Sequence, residues 1–236
     1  AVALVARRVF NASFRDAAFL GLAASVSNAG FLGLPMLVAL LGERAAAPVI
    51  LAIVVDQVII ASAGLALAET GGATGRGWRE DVRDGALRIF LNPLLISMLL
   101  GALFSGMAWT LGSPFAEIVK LLADTAGPCA LFAIGVSLVR PDAPIRSPIL
   151  ALPISAKLLL HPAVAWGAMS LFGMDPFVAM VAVLVAALPS AGWVFIFAVR
   201  YEADAGRISA TILLTTALAF ITFSSLVWLM GIGGPG

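Results

Sequence analysis

Few residues of this sequence could do chemistry, and most of them lie inside apolar segments. Asn28 can donate an amide hydrogen bond to a carboxylate; without a ligand, such a residue serves as interhelical glue worth about 0.6 kcal/mol. Asp56 lies about nine residues into an apolar run. An ionised acid at that depth costs about 2.5–3.5 kcal/mol, so it has to face a partner or water. Lys157 and His161 are four residues apart and share one helix face. Asp124 follows Lys120 by one helical turn. These charged residues read either as structural ion pairs or as a proton relay, while Gln57, beside Asp56, reads as helix glue.

The same inventory speaks against enzyme chemistry. Ser190 has no histidine close in sequence, His161 is the single histidine, and no Gly-x-Ser-x-Gly setting surrounds the serine. One histidine and one cysteine, Cys129, build no usual zinc or iron–sulfur site, so neither metal nor cofactor is expected. Cys129 sits in an apolar segment and reads as a small packing residue.

The elements that must position these residues follow from composition. Of 236 residues, 61% are hydrophobic and 11% charged, against about 25% charged in a soluble domain. That excludes a soluble enzyme, a disordered tail and a secreted disulfide scaffold, and predicts an all-α polytopic membrane protein in contact with the lipid bilayer. A net charge of +1 offers no basic field for nucleic acid.

Seven full spans are predicted, near 17–41, 47–68, 89–112, 115–139, 148–172, 176–199 and 208–231. A polar stretch from Glu69 to Arg88 reads as a flexible turn and a short interfacial helix, with Asn92-Pro93 capping the next span. Loops on one side carry eleven arginines: Arg7, Arg8, Arg15, Arg76, Arg79, Arg83, Arg88, Arg140, Arg146, Arg200 and Arg207. The other side carries only Arg44. The positive-inside bias makes the arginine-rich side cytoplasmic and puts the C-terminus outside. The apolar run Ala1–Ala6 precedes Arg7-Arg8, an order that suits the tail of a span whose earlier part is absent.

Two spans differ from the rest. The first holds Ser25-Val26-Ser27-Asn28-Ala29-Gly30-Phe31-Leu32-Gly33-Leu34-Pro35, and the sixth holds Ala187-Leu188-Pro189-Ser190-Ala191-Gly192-Trp193. Proline with small polar residues at mid-membrane predicts an unwound stretch, which survives only against protein or a wet cavity. Asn28-Ala29-Gly30-Phe31 matches Ser190-Ala191-Gly192-Trp193, and the two spans are five apart. An odd offset inverts orientation, as a five-span inverted repeat would. The repeat divides the chain into a remnant of a first repeat at 1–68, a cytoplasmic loop at 69–88 and a complete second repeat at 89–231. On this division two spans and most of a third are expected upstream.

Several stretches together resemble the auxin efflux carrier family, which includes bacterial malonate transporters. They are Ala23 to Pro35, Val55-Asp56-Gln57, Asn92-Pro93-Leu94, Ala130 to Leu138, Lys157 to Pro162 and Ala187 to Tyr201, in the family's order. The resemblance implies ten spans in two inverted five-span repeats. It implies a crossover of two broken helices carried by Pro35 and Pro189, and a scaffold and moving transport domain, usually as a homodimer. The implied cargo is a small organic anion, often a carboxylate. Trp193 stands where many relatives have a small or amide residue.

The sequence thus predicts an inner-membrane secondary transporter working by alternating access. Ser27, Asn28, Gly30, Pro35, Pro189, Ser190, Gly192 and Trp193 are expected at the substrate, and Asp56, Asp124, Lys157 and His161 in coupling or support. A sodium-coupled bile-acid-type symporter and a nontransporting membrane assembly or receptor subunit stay open as alternatives.

Overall fold

The structure, a computed structural model, describes residues 1–61, 63–64, 68, 96, 100–101, 103–104, 106–138 and 146–232. The predicted loop 69–88, the Asn92-Pro93 cap, most of the predicted span 89–112 and Arg140 lie outside the described residues.

The described residues are helical throughout their regular structure. In chain order the helices are α1 (Val2–Phe10), α2 (Phe14–Ser25), α3 (Ala29–Leu41) and α4 (Glu43–Ala61). There follow α5 (Ser113–Leu138), α6 (Pro148–Leu171), α7 (Pro176–Ala186), α8 (Trp193–Arg200) and α9 (Ala205–Leu229). Among the described residues three helices, α4, α6 and α9, are long and apolar enough to cross a bilayer unbroken.

The helix ends follow local chemistry. Ser13 caps α2, accepting from the Asp16 N–H at 3.0 Å while its hydroxyl donates to the Asp16 carboxylate at 2.6 Å. Asp175 caps α7 through the N–H groups of Phe177 and Val178, with Pro176 in the first turn. Asp204 caps α9 through the Arg207 N–H at 3.0 Å. Gly42, at φ 84°, ends α3 in a backbone conformation that costs a glycine nothing.

Two predicted spans are each split in two. α2 and α3 are separated by Val26–Asn28, and Ser27 falls midway between Phe14 and Leu41. α7 and α8 are separated by residues 187–192. The two breaks meet as an antiparallel bridge between Ser27 and Ser190. The Asn28 N–H donates to the Pro189 carbonyl at 2.9 Å, and the Ala191 N–H donates to the Val26 carbonyl at 3.3 Å. Backbone groups freed by unwinding thus satisfy one another, which bare hydrocarbon would not allow.

Small residues surround this crossing. Ala17, Ala18, Ala23, Ala191 and Ala198 pack with Phe19, Val26 and Val194 in one buried cluster. Leu37, Val49, Val181, Leu184 and Leu188 form a second. Small side chains let helix backbones approach closely in a bilayer. The outward faces are apolar instead: Phe220 and Trp228 on α9 are 77% and 78% exposed, which suits lipid. Arg15, in the first turn of α2, lies 3.8 Å from the Glu202 carboxylate, and Arg44 stacks over the Phe177 ring, 3.9 Å from its centroid. Arg15 and Arg44 are thus tied to different ends of the second broken pair, Arg15 to the segment after α8 and Arg44 to the first turn of α7.

Among the described residues three segments depart from α to π geometry: Ala29–Gly33, Val55–Ala61 and Ala156–Leu160. Such turns shift side-chain direction and concentrate at functional sites.

Gly33 sets the closeness of the crossing, because a Cβ there would stand 2.6 Å from Leu188 Cδ1. Gly33→Ala is expected to lower the melting stability of the detergent-purified protein by about 1–3 kcal/mol. In a Leu188→Ala background the same substitution should cost much less, so a double-mutant cycle of melting curves checks the contact.

Candidate functional site

The crossing gathers four half-helix ends. The C-terminal ends of α2 (Ser25) and α7 (Ala186) carry negative dipole potential, and the N-terminal ends of α3 (Ala29) and α8 (Trp193) carry positive potential. The site has two poles, one of each sign.

The positive pole holds a cavity of ≈ 130 Å³. Ser27, Asn28, Ala29, Gly30, Phe31, Ile53, Asp56, Gln57, Ala191 and Trp193 line it. Asn28 is buried, and its side-chain amide has no hydrogen-bond partner among the described residues. Gln57 Oε1 is buried and likewise unpaired among them. Gly30 borders open space, since a Cβ there would meet nothing within 4 Å. Trp193 forms one wall and packs edge-on against Phe197, with ring centroids 5.6 Å apart.

At the negative pole stands Lys157, fully buried at 0% exposure. Its Nζ donates to Ser27 Oγ at 2.6 Å and to the Ala186 carbonyl at 3.1 Å, and lies 2.8 Å from His161 Nδ1. Asp56 approaches the same serine from another direction, its Oδ2 accepting the Ser27 N–H at 3.1 Å. A second cavity of ≈ 310 Å³ reaches Ser27, Asp56, His161 and Ala186. Ser27 and Asp56 therefore form a wall between the two cavities.

The remaining expected residues are placed differently. Ser190 is fully buried but lines neither cavity; its hydroxyl donates to the Ala23 carbonyl at 2.6 Å, and its N–H donates to Thr215 Oγ1 at 3.3 Å. Gly192 precedes α8 as its cap and is absent from the lining of both cavities. Pro35 does not make the first break; it lies in the first α-helical turn after the π segment of α3, where a missing N–H is tolerated. Pro189 does stand in the second break, through its carbonyl. Asp124 pairs with Lys120 at 2.5 Å on an exposed face of α5 and is not brought to the crossing. Gln57, which reads as glue from sequence, lines the cavity, and its buried Oε1 has no partner among the described residues. Phe31, Ile53 and the Ala186 carbonyl carry no sequence signal for their roles, being apolar or backbone groups.

These features define a multi-pass α-helical membrane protein with a polar site at the meeting of two broken helices. A family model described as membrane transport protein matches residues 1–229. A protein of Rhizobium meliloti (strain 1021) described as "Putative malonate transporter" is 34% identical over 220 residues, covering 92% of this chain and 68% of that protein. The chain belongs to this membrane transport family, the auxin efflux carriers, and is a transporter and not an enzyme.

Ser190 and Asn28 can be told apart by experiment. Ser190→Ala should lower stability by about 1–3 kcal/mol, since it strips a buried hydrogen bond from the Ala23 carbonyl, and should leave the KM for cargo unchanged. Melting curves and uptake kinetics on one purified variant measure both.

Proposed function

We propose that this transporter moves a small organic anion, a carboxylate such as malonate or an auxin-like acid, by alternating access at the crossover. The observation that carries the proposal is the ≈ 130 Å³ cavity at the positive pole, lined by Asn28, Gln57 and the first residues of α3 and α8. The N–H groups of Ala29, Gly30 and Phe31 have no backbone acceptor among the described residues, as the first turn of a helix dictates. Unpaired donors at a helix N-terminus favour an anion without a full positive charge. Asn28 adds a side-chain donor. Gln57 Oε1 asks for a donor in return, which a cargo with one carboxylate and one carboxyl, or another O–H or N–H, supplies.

The wider architecture belongs to the same proposal. The antiparallel pairing of the two breaks supports two inverted five-span repeats, divided as 1–68 and 89–231 around the loop 69–88. The eleven-to-one arginine partition supports an inner-membrane protein with cytoplasmic arginine-rich loops and an outward C-terminus. A homodimer completes the arrangement, as the resemblance to the family implies. The two cavities on either side of Ser27 and Asp56 support a site reached alternately from two directions.

Uptake of labelled malonate and of labelled indole acids into proteoliposomes tests this. Asn28→Ala should weaken affinity roughly ten- to hundredfold, the equivalent of about 1.5–3 kcal/mol for one hydrogen bond to a charged group. Folding should be largely retained, because the amide has no partner to lose among the described residues. Unaltered affinity in a well-folded Asn28→Ala protein would contradict the site.

A further inference from the structure

The negative pole presents a different problem from the cargo cavity. Two helix C-termini, α2 and α7, converge there, and the Asp56 carboxylate stands one residue away on the Ser27 N–H. Convergent half-helix C-termini and unwound carbonyls are the surroundings in which transporters hold a coupling cation such as sodium. In this chain the place is occupied by a side chain. Lys157 Nζ meets three acceptors, Ser27 Oγ, the Ala186 carbonyl and His161 Nδ1, at 2.6, 3.1 and 2.8 Å. An ammonium has three donors and no acceptor, so this set matches it one for one. His161 then presents Nδ1 as a lone pair. One partner comes from the first break, one from the end of α7 before the second, and one from Lys157's own helix.

We propose that Lys157 is a tethered cation that fills the seat a coupling ion would otherwise take, so that transport needs no sodium. The ammonium ties Ser27 to Ala186 and neutralises the converging negative ends. The π geometry of Ala156–Leu160 turns the side chain inward to reach them. Because the cation is covalently held, it is present in every state of the cycle and is never released with cargo. Lys157 is a positioning residue and does not touch the cargo. It is absent from the lining of the ≈ 130 Å³ cavity. This inference deepens the proposed anion transport and rests on it for its flux measurements only.

The test removes the tether and returns the cation. Lys157→Ala keeps Cβ and leaves room for n-propylammonium, and the ≈ 310 Å³ cavity bordering Ser27, His161 and Ala186 gives a route to the seat. In proteoliposomes the unaltered protein should take up labelled malonate at rates within twofold in sodium and in potassium media. Lys157→Ala should be at least tenfold slower and recover most of that loss with millimolar n-propylammonium, but not with tetramethylammonium, which has no N–H donor. Lys157→Met, which fills the same channel without charge, should be slow and unresponsive to the amine.

A second readout needs no cargo. The melting temperature of purified Lys157→Ala should rise by several degrees with n-propylammonium while that of the unaltered protein does not. If unaltered protein takes up no malonate, the cargo assignment fails and the melting arm still decides the seat. Sodium-dependent uptake by the unaltered protein would overturn the inference, as would near-normal flux in Lys157→Met. Absence of any amine effect on Lys157→Ala melting would also overturn it. Should Lys157→Ala fail to accumulate, the sodium comparison and Lys157→Met carry the test.

Discussion

Everything at the centre of this molecule depends on one backbone pairing inside the membrane. Two unwound stretches would each leave N–H and C=O groups in hydrocarbon, at several kcal/mol apiece. They are tolerable because they meet: Asn28 donates to Pro189, Ala191 donates to Val26, and Ser27 faces Ser190. The pairing is antiparallel, so it brings two helix C-termini and two helix N-termini together without any charged residue. Separate poles of opposite sign follow from the geometry of the peptide dipole.

The side chains around the crossing elaborate those poles. Positive N-terminal ends border the cavity that holds Asn28 and Gln57. Negative C-terminal ends are met by Lys157. Ser27 joins the two, giving its N–H to Asp56 and accepting from Lys157 with its hydroxyl. All three π segments contribute: one begins α3 at the cavity, one carries Asp56 and Gln57, and one carries Lys157. Each departure from α geometry lies where a side chain has to reach the crossing, so the irregular turns and the polar site are one feature.

Much of this was legible in the sequence, for reasons particular residues show. Proline, glycine and serine at mid-span mark the broken helices because they defeat the helical ladder locally. The four-residue spacing of Lys157 and His161 places them on one face, and their nitrogens do meet. Register was not legible. The likeness of Asn28-Ala29-Gly30-Phe31 to Ser190-Ala191-Gly192-Trp193 says which residues are equivalent in the two breaks, and carries no information that Ser27 faces Ser190. Nor could sequence spacing bring Lys157 to Ser27, 130 residues away, or tell that Ser190 bonds Ala23 while Gln57 Oε1 has no partner among the described residues. Those depend on how helices pack. Pro35 misled because a proline early in a helix looks, in sequence, like one that breaks it.

The most direct test of the account locates the cargo itself. Bromomalonate carries an anomalous scatterer on a molecule of malonate's shape, and a crystal of the protein grown with it would place the bromine independently of any interpretation of weak density. The account predicts one peak in the cavity between Asn28, Gln57 and Trp193, with Ser27 and Ser190 still paired behind it. A peak at a site remote from the crossing, or Ser27 and Ser190 on separate parts of the molecule, would contradict it.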